Sequence, residues 1–130
     1  SARGERLSVD HKPSLDYARI RELGGYVVGN DPGRVNGLLA VGRSLGDFYL
    51  HPYVSDKPHV WSCKLDQAPA YLILACDGVW DELEDQEAVV MVDSMISKGK
   101  LTEACRLLRD TAYAYGSDDN ISVMIIHKVV

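Results

Sequence analysis

The chain has 130 residues, 46% of them hydrophobic and 25% charged, and its 14 Lys and Arg against 19 Asp and Glu give a formal charge of −5. That length suits one ordinary domain, able to bury roughly two thirds of the surface its unfolded form exposes. The acidic balance and the lack of any basic run argue against a general nucleic-acid binder, whose affinity rests on cationic side chains. Apolar runs such as 72–76 and 123–126 fall far short of the roughly 20 residues that span a bilayer, so no membrane anchor is expected.

The opening SARGERLSVD has neither a starting Met nor the apolar core of a secretion signal, so the chain reads as trimmed or processed. Cys63, Cys76 and Cys105 are odd in number and form no C-x-x-C pair. They read as small buried hydrophobes in a reducing compartment.

In chain order, the weak alternation of GERLSVD predicts a short strand over 5–9. After Pro13, Ser14 can cap a helix carrying Leu15, Ala18, Ile20 and Leu23, stopped by Gly24-Gly25. The stretch 26–54 is dense in Gly, Asn, Asp and Pro, which punctuate short strands over 26–28 and 38–41. HVWSCKL alternates, and AYLILACD is an apolar run of a length that suits a buried strand. Two helices follow: the first opens at Glu84 or Asp85, turns Val89, Val92 and Ile96 inward and ends near Gly99. The second is capped by Thr102 and carries Cys105, Leu108 and Ala112 at helical spacing. NISVMIIHKVV closes the chain as a strand. This order of elements is an α+β pattern.

The chemistry concentrates in carboxylates. Asp77 ends one apolar run and Asp118-Asp119-Asn120 precedes another. If the two strands lie side by side, their ends bring two acids together, and like charges that close call for a cation or a shifted pKa. Mg²⁺ and Mn²⁺ suit oxygen donors, whereas Zn²⁺ prefers His or Cys, and His11, His51, His59 and His127 show no ligand spacing. On spacing alone a turn is the better explanation of Asp-Gly and Ser-Asp-Asp-Asn. Glu82, Glu84 and Asp85 read as the negative end of a helix start. Asp81, four residues after Asp77, can reach the same ion or only its waters. GRVNGLLAVGRSLGD matches neither a P-loop nor G-x-G-x-x-G, and Arg34 and Arg43 can meet a phosphate or serve as structural arginines.

Taken in order, LSVDHKP, RIRELGGYV, RVNGLLAVGRSLGD, LILACDGVWDEL and GSDDNISVMII resemble the second half of the metal-dependent protein serine/threonine phosphatases, type 2C. The resemblance implies part of a two-sheet β-sandwich flanked by helices, with the metal site at the sheet edge. It implies two Mg²⁺ or Mn²⁺ per complete site and hydrolysis of phosphoserine or phosphothreonine in protein substrates by a metal-activated water. Asp77 and Asp119 resemble metal ligands, and Asp81 an outer-shell or third-metal acid. The excursion over 28–58 resembles the substrate flap, with Arg34, Asn36 and Arg43 as its candidate contacts. Gly42 stands where the family usually has Ser, a position where a small residue is expected to fit.

The family's first half, with its DGHGG motif, is not in this sequence. Residues 1–130 are therefore expected to be the C-terminal portion of a single domain, inactive alone and paired with the missing half or a second copy. The setting expected is intracellular, cytoplasmic or nuclear. The rival reading is a non-catalytic scaffold that keeps the fold for regulatory binding; the pairing of Asp77 with Asp119 favours the enzyme.

Overall fold

The computed structural model describes residues 3–128. Their contacts gather into two compact units, one formed by residues up to Arg6 together with those from Ser62 onward, the other by Leu7–Trp61. The α+β expectation holds, since helices combine with two antiparallel pairs of strands.

In the unit Leu7–Trp61, helix α1 runs over Tyr17–Glu22 and buries Ile20. Gly24, at φ +89°, lets the chain leave it. Strands β1 (Val27–Val28) and β2 (Arg34–Val35) pair antiparallel, Val27 opposite Val35. Ile20, Val35, Leu50 and Val54 form the core, with Val27, Leu39 and Tyr53 packed against it.

Several sequence expectations shift here. Residues 5–9 form no strand: Gly4 donates instead to Gln86 Oε1, and Arg6 bonds the Asp85 carboxylate, so side chains rather than a neighbouring strand hold the start of the segment. Ser14 does not cap α1; a turn occupies 13–16, and Asp16 takes the cap position without a capping bond. Its carboxylate is engaged elsewhere, accepting from Arg19 Nη2 at 3.2 Å and from Arg43 Nε at 3.4 Å. Leu15 and Leu23 are consequently exposed, outside the short helix. The strand expected over 38–41 is a turn that folds back on β2, with Leu39 O accepting from Val35 N at 2.8 Å. HVWSCKL, although alternating, pairs with nothing as a strand.

In the other unit, β3 (Tyr71–Ala75) pairs antiparallel with β4 (Val123–His127), from Tyr71↔His127 to Ala75↔Val123. Side chains alternate across such a pair. Tyr71, Ile73, Ala75, Val123 and Ile125 therefore pack on the core, while Leu74, Met124 and Ile126 are exposed on the opposite face. The run expected to be a buried strand is thus buried on one face only. A single turn of helix, α2 (Asp77–Trp80), follows β3 directly, then α3 (Asp85–Ile96) and α4 (Leu101–Tyr115). Val79, Leu83, Ala88, Val92, Ala104, Leu108 and Ala112 form this core. Glu84 takes the cap position of α3 as expected, without a side-chain capping bond, whereas α4 starts ahead of Thr102, after Lys100. Val129 and Val130, placed in the last strand from sequence, lie outside the described residues.

Asp16 gives a pH signature. Burial alone would push its carboxyl up, but hydrogen bonds and charge from Arg19 and Arg43 outweigh burial and hold it below its ordinary value. A depressed folded pKa means that the stabilisation is present above the unfolded value of about 4 and is lost as pH falls through the folded one. Urea unfolding of parent and Asp16→Asn across the acid range should show a stability difference that is constant near neutrality and shrinks below about pH 4. A difference independent of pH would show that the arginine contacts do not govern this carboxyl.

Candidate metal centre

The β3–β4 ladder continues one residue beyond the strands, because Cys76 N donates to Ser122 O at 3.2 Å. Continued pairing carries Asp77-Gly78 toward Asp119-Asn120. A Cβ built on Gly78 would lie 2.2 Å from Asn120 O and 3.5 Å from Asp119 Cβ. The side-by-side arrangement on which the acid-pair reading depended is therefore present.

Gly78 is buried, and a backbone carbonyl fills the space that any side chain would need. The reason for glycine in the Asp-Gly pair is close approach, not a left-handed turn. The Ser117 hydroxyl adds a second tie: it is 8% exposed and donates to Gly78 O at 2.7 Å. Cys76 supplies a third, its thiol donating to Asn120 O at 3.0 Å and accepting from Ser122 N at 3.2 Å.

Both acids are exposed at this edge. One oxygen of each turns back on its own loop: Asp77 Oδ1 accepts from Gly78 N at 3.1 Å, and Asp119 Oδ1 from Asn120 N at 2.7 Å. These bonds orient the carboxylates. Asp81 is exposed at the end of α2, its N–H donating to Asp77 O at 2.8 Å. Asp118 is exposed as well. Among the described residues, no three His, Cys, Asp or Glu side chains gather into a metal cluster.

The donor chemistry fits a hard divalent cation, since the acids on the two neighbouring loops offer carboxylate oxygen. The nearest sulfur, on Cys76, is occupied by hydrogen bonds to Asn120 and Ser122. Two carboxylates nevertheless make up only part of the six or so oxygens that such an ion takes.

The flap candidates lie in the unit Leu7–Trp61, each with a partner there. Arg34 Nη1 donates to Leu38 O at 2.8 Å, Asn36 Oδ1 accepts from Tyr26 N at 3.0 Å, and Arg43 adds to its Asp16 contact a bond from Nη1 to Lys57 O at 2.9 Å. Gly42 is not the indifferent position expected. It is buried, and a Cβ there would come 2.9 Å from Asp16 Oδ2 and 3.3 Å from His11 O. A serine must displace the carboxylate that holds both arginines.

Sequence reasoning missed Cys76, Gly78 and Ser117. Only the spacing of Gly78 and Ser117 from the two acids could have pointed to them. The burial expected of all three cysteines fails at Cys63, which is exposed, while Cys76 and Cys105 are partly buried.

The family profile described as protein phosphatase 2C matches residues 1–121. The chain belongs to the protein phosphatase 2C family. It is 41% identical to the rice "Probable protein phosphatase 2C 32" over 97% of its length, covering 34% of that protein. It is 37% identical to the "Protein phosphatase 2C homolog 1" of Saccharomyces cerevisiae over 93%, covering 42%, and 40% identical to human "Protein phosphatase 1F" over 93%, covering 28%. The chain thus spans between a quarter and a half of the length of these relatives. Among solved structures, a Caenorhabditis elegans sex determining protein matches with a TM-score of 0.77 and 32% identity, over 92% of this chain and 31% of that one. A Toxoplasma gondii phosphatase matches at 0.73 and 32%, over 97% and 46%. Among the described residues, no helix is long and apolar enough to cross a membrane.

Gly78→Ala tests the close approach. The added methyl meets backbone at 2.2 Å, so the strand ends must separate, at the cost of about 1–3 kcal/mol typical of overpacking. Urea unfolding should show that loss, while Gly99→Ala, whose Cβ meets nothing within 4 Å but whose φ is +69°, should cost less. Equal stability of Gly78→Ala and the parent would contradict the register drawn here.

Proposed function

We propose that this chain supplies part of the metal site and the substrate flap of a Mg²⁺- or Mn²⁺-dependent protein serine/threonine phosphatase of type 2C. The observation that carries this reading is the convergence of Asp77 and Asp119 at the end of the β3–β4 pair, in a chain that matches the family along most of its length.

Asp77 and Asp119 would hold the metal, with Asp81 at its outer shell or at a third ion. When bound, a pair of such ions supplies Lewis acidity and a nucleophilic water at neutral pH. Bonds from the Gly78 and Asn120 amides orient the two carboxylates before any ion arrives, which lowers the reorganisation that binding requires. Arg34, Asn36 and Arg43 would shape the flap that meets the phosphoprotein substrate, with Arg43 fixed in place by Asp16 and the Lys57 carbonyl. The chain is the C-terminal portion of a single domain in this reading and is inactive by itself, since two acids do not complete the site. The exposed apolar side chains Leu74, Met124 and Ile126 fit burial against the other half of the domain or a second copy. Free thiols at Cys63, Cys76 and Cys105 suit an intracellular, cytoplasmic or nuclear setting.

The two adjacent acids provide the test. Asp119 has its Cβ against Gly78, whereas Asp118 sits one residue out of phase, where neighbouring side chains diverge. In the complete domain, Asp119→Asn should weaken Mn²⁺ binding and dephosphorylation of a phosphothreonine peptide by at least tenfold. Asp118→Asn should change stability by no more than about 0.5 kcal/mol and leave both activities near the parent. The reverse order of effects would overturn the assignment.

A further inference from the structure

We propose that Ser117, together with the Cys76 thiol, is a positioning residue that fixes Asp119 against Asp77 before any cation binds, a role that rests on the metal reading above. Three separate ties join the two acidic loops, and none of them uses an acid side chain. The Ser117 hydroxyl donates to Gly78 O at 2.7 Å, the Cys76 thiol bridges Asn120 O and Ser122 N, and the Cys76 amide donates to Ser122 O.

Ser117 is buried, 8% exposed. Burying a hydroxyl is unfavourable unless it is hydrogen-bonded, and here its bond reaches across 39 residues to the carbonyl directly after Asp77. The backbone reaches Ser117 through the end of α4, where Gly116 at φ +115° breaks the helix and Ser117 N donates back to Ala112 O at 3.0 Å. Ser117 is thereby anchored to a long helix on one side and to the Asp77 loop on the other. Asp119 lies two residues further on.

The geometry explains why three ties are needed. Two carboxylates brought to one edge repel each other when no cation stands between them. Loops held only by strand pairing at their bases would splay at their tips, and each ion bound would then have to draw them back. Side chains that hold metal-ligating residues from outside the coordination sphere commonly change affinity by 10–100-fold when removed. Ser117 and Cys76 have that relation to Asp77 and Asp119.

The experiment uses the complete domain and four variants: Ser117→Ala, Ser117→Thr, Cys76→Ala and Asp119→Asn. Mn²⁺ affinity is measured by calorimetry, and amide hydrogen exchange of residues 76–79 and 117–122 is measured without metal. Ser117→Ala and Cys76→Ala should each weaken Mn²⁺ binding on the order of tenfold and speed exchange in both segments, leaving α3 protected. Ser117→Thr, which keeps the hydroxyl, should recover most of the affinity. If Asp119→Asn weakens binding while Ser117→Ala and Cys76→Ala match the parent, the positioning role is wrong and the metal reading stands. If Asp119→Asn leaves Mn²⁺ affinity unchanged, the metal reading falls and the positioning role falls with it. Should Ser117→Ala fail to fold, Cys76→Ala decides the question by the same two measurements.

Discussion

Everything proposed for the acidic edge depends on the antiparallel register of β3 and β4. Ala75 opposite Val123 and the further bond from Cys76 to Ser122 leave the chain no freedom about which residues meet next. Moving that register by one residue would turn the core face of a strand outward and place the Asn120 carbonyl away from Gly78. The inward-facing Ile73, Ala75, Val123 and Ile125 oppose such a slip, because they pack on the core built by α3 and α4. Burial energy on one face of the sheet thus fixes the positions of polar groups at its end.

The same economy of constraint operates in the unit Leu7–Trp61, with an ion-pair hub in place of a strand pair. Asp16 gathers Arg19 and Arg43, while Arg19 also reaches Gly42 O at 3.2 Å and Arg43 reaches Lys57 O. Strands of two residues offer little backbone cooperativity, so side chain to backbone bonds hold the loops in their place. A glycine at 42 leaves the space that the Asp16 carboxylate occupies. A serine there would compete with both arginines for the same oxygen.

How far the sequence revealed this depends on the range of the interaction concerned. Helices α3 and α4 were legible because the 3.6-residue period of Val92, Ile96, Leu108 and Ala112 is a local signal reinforced by burial, although Ala88 and Ala104 rather than the expected Val89 and Cys105 complete the core. The two five-residue strands were legible as apolar runs, and the acids at their ends as a departure from that pattern. Residues 5–9 and 59–65 alternate as strands do, yet a strand exists only where another backbone pairs with it, which alternation does not report. Turn-rich segments misled for a related reason. Ser14 has the composition of a helix cap, but the cap position falls at Asp16, whose carboxylate is claimed by Arg19 in the first turn and by Arg43, 27 residues away. Ser117 and Cys76 looked ordinary because their partners are about 40 residues away, and Gly78 looked like a turn glycine when its requirement is steric.

In the proposed reading, residues around Asp77 and Asp119 form one cation-facing edge. Paramagnetic broadening of backbone amide resonances by substoichiometric Mn²⁺ tests it most directly in this chain, because the effect falls steeply with distance and does not require a complete coordination sphere. Amides of 77–79 and 118–120 are expected to broaden together at the lowest Mn²⁺ concentration, ahead of the acidic start of α3 at Glu84, Asp85 and Glu87. Broadening that begins at α3, or that touches one of the two loops and spares the other, would contradict it.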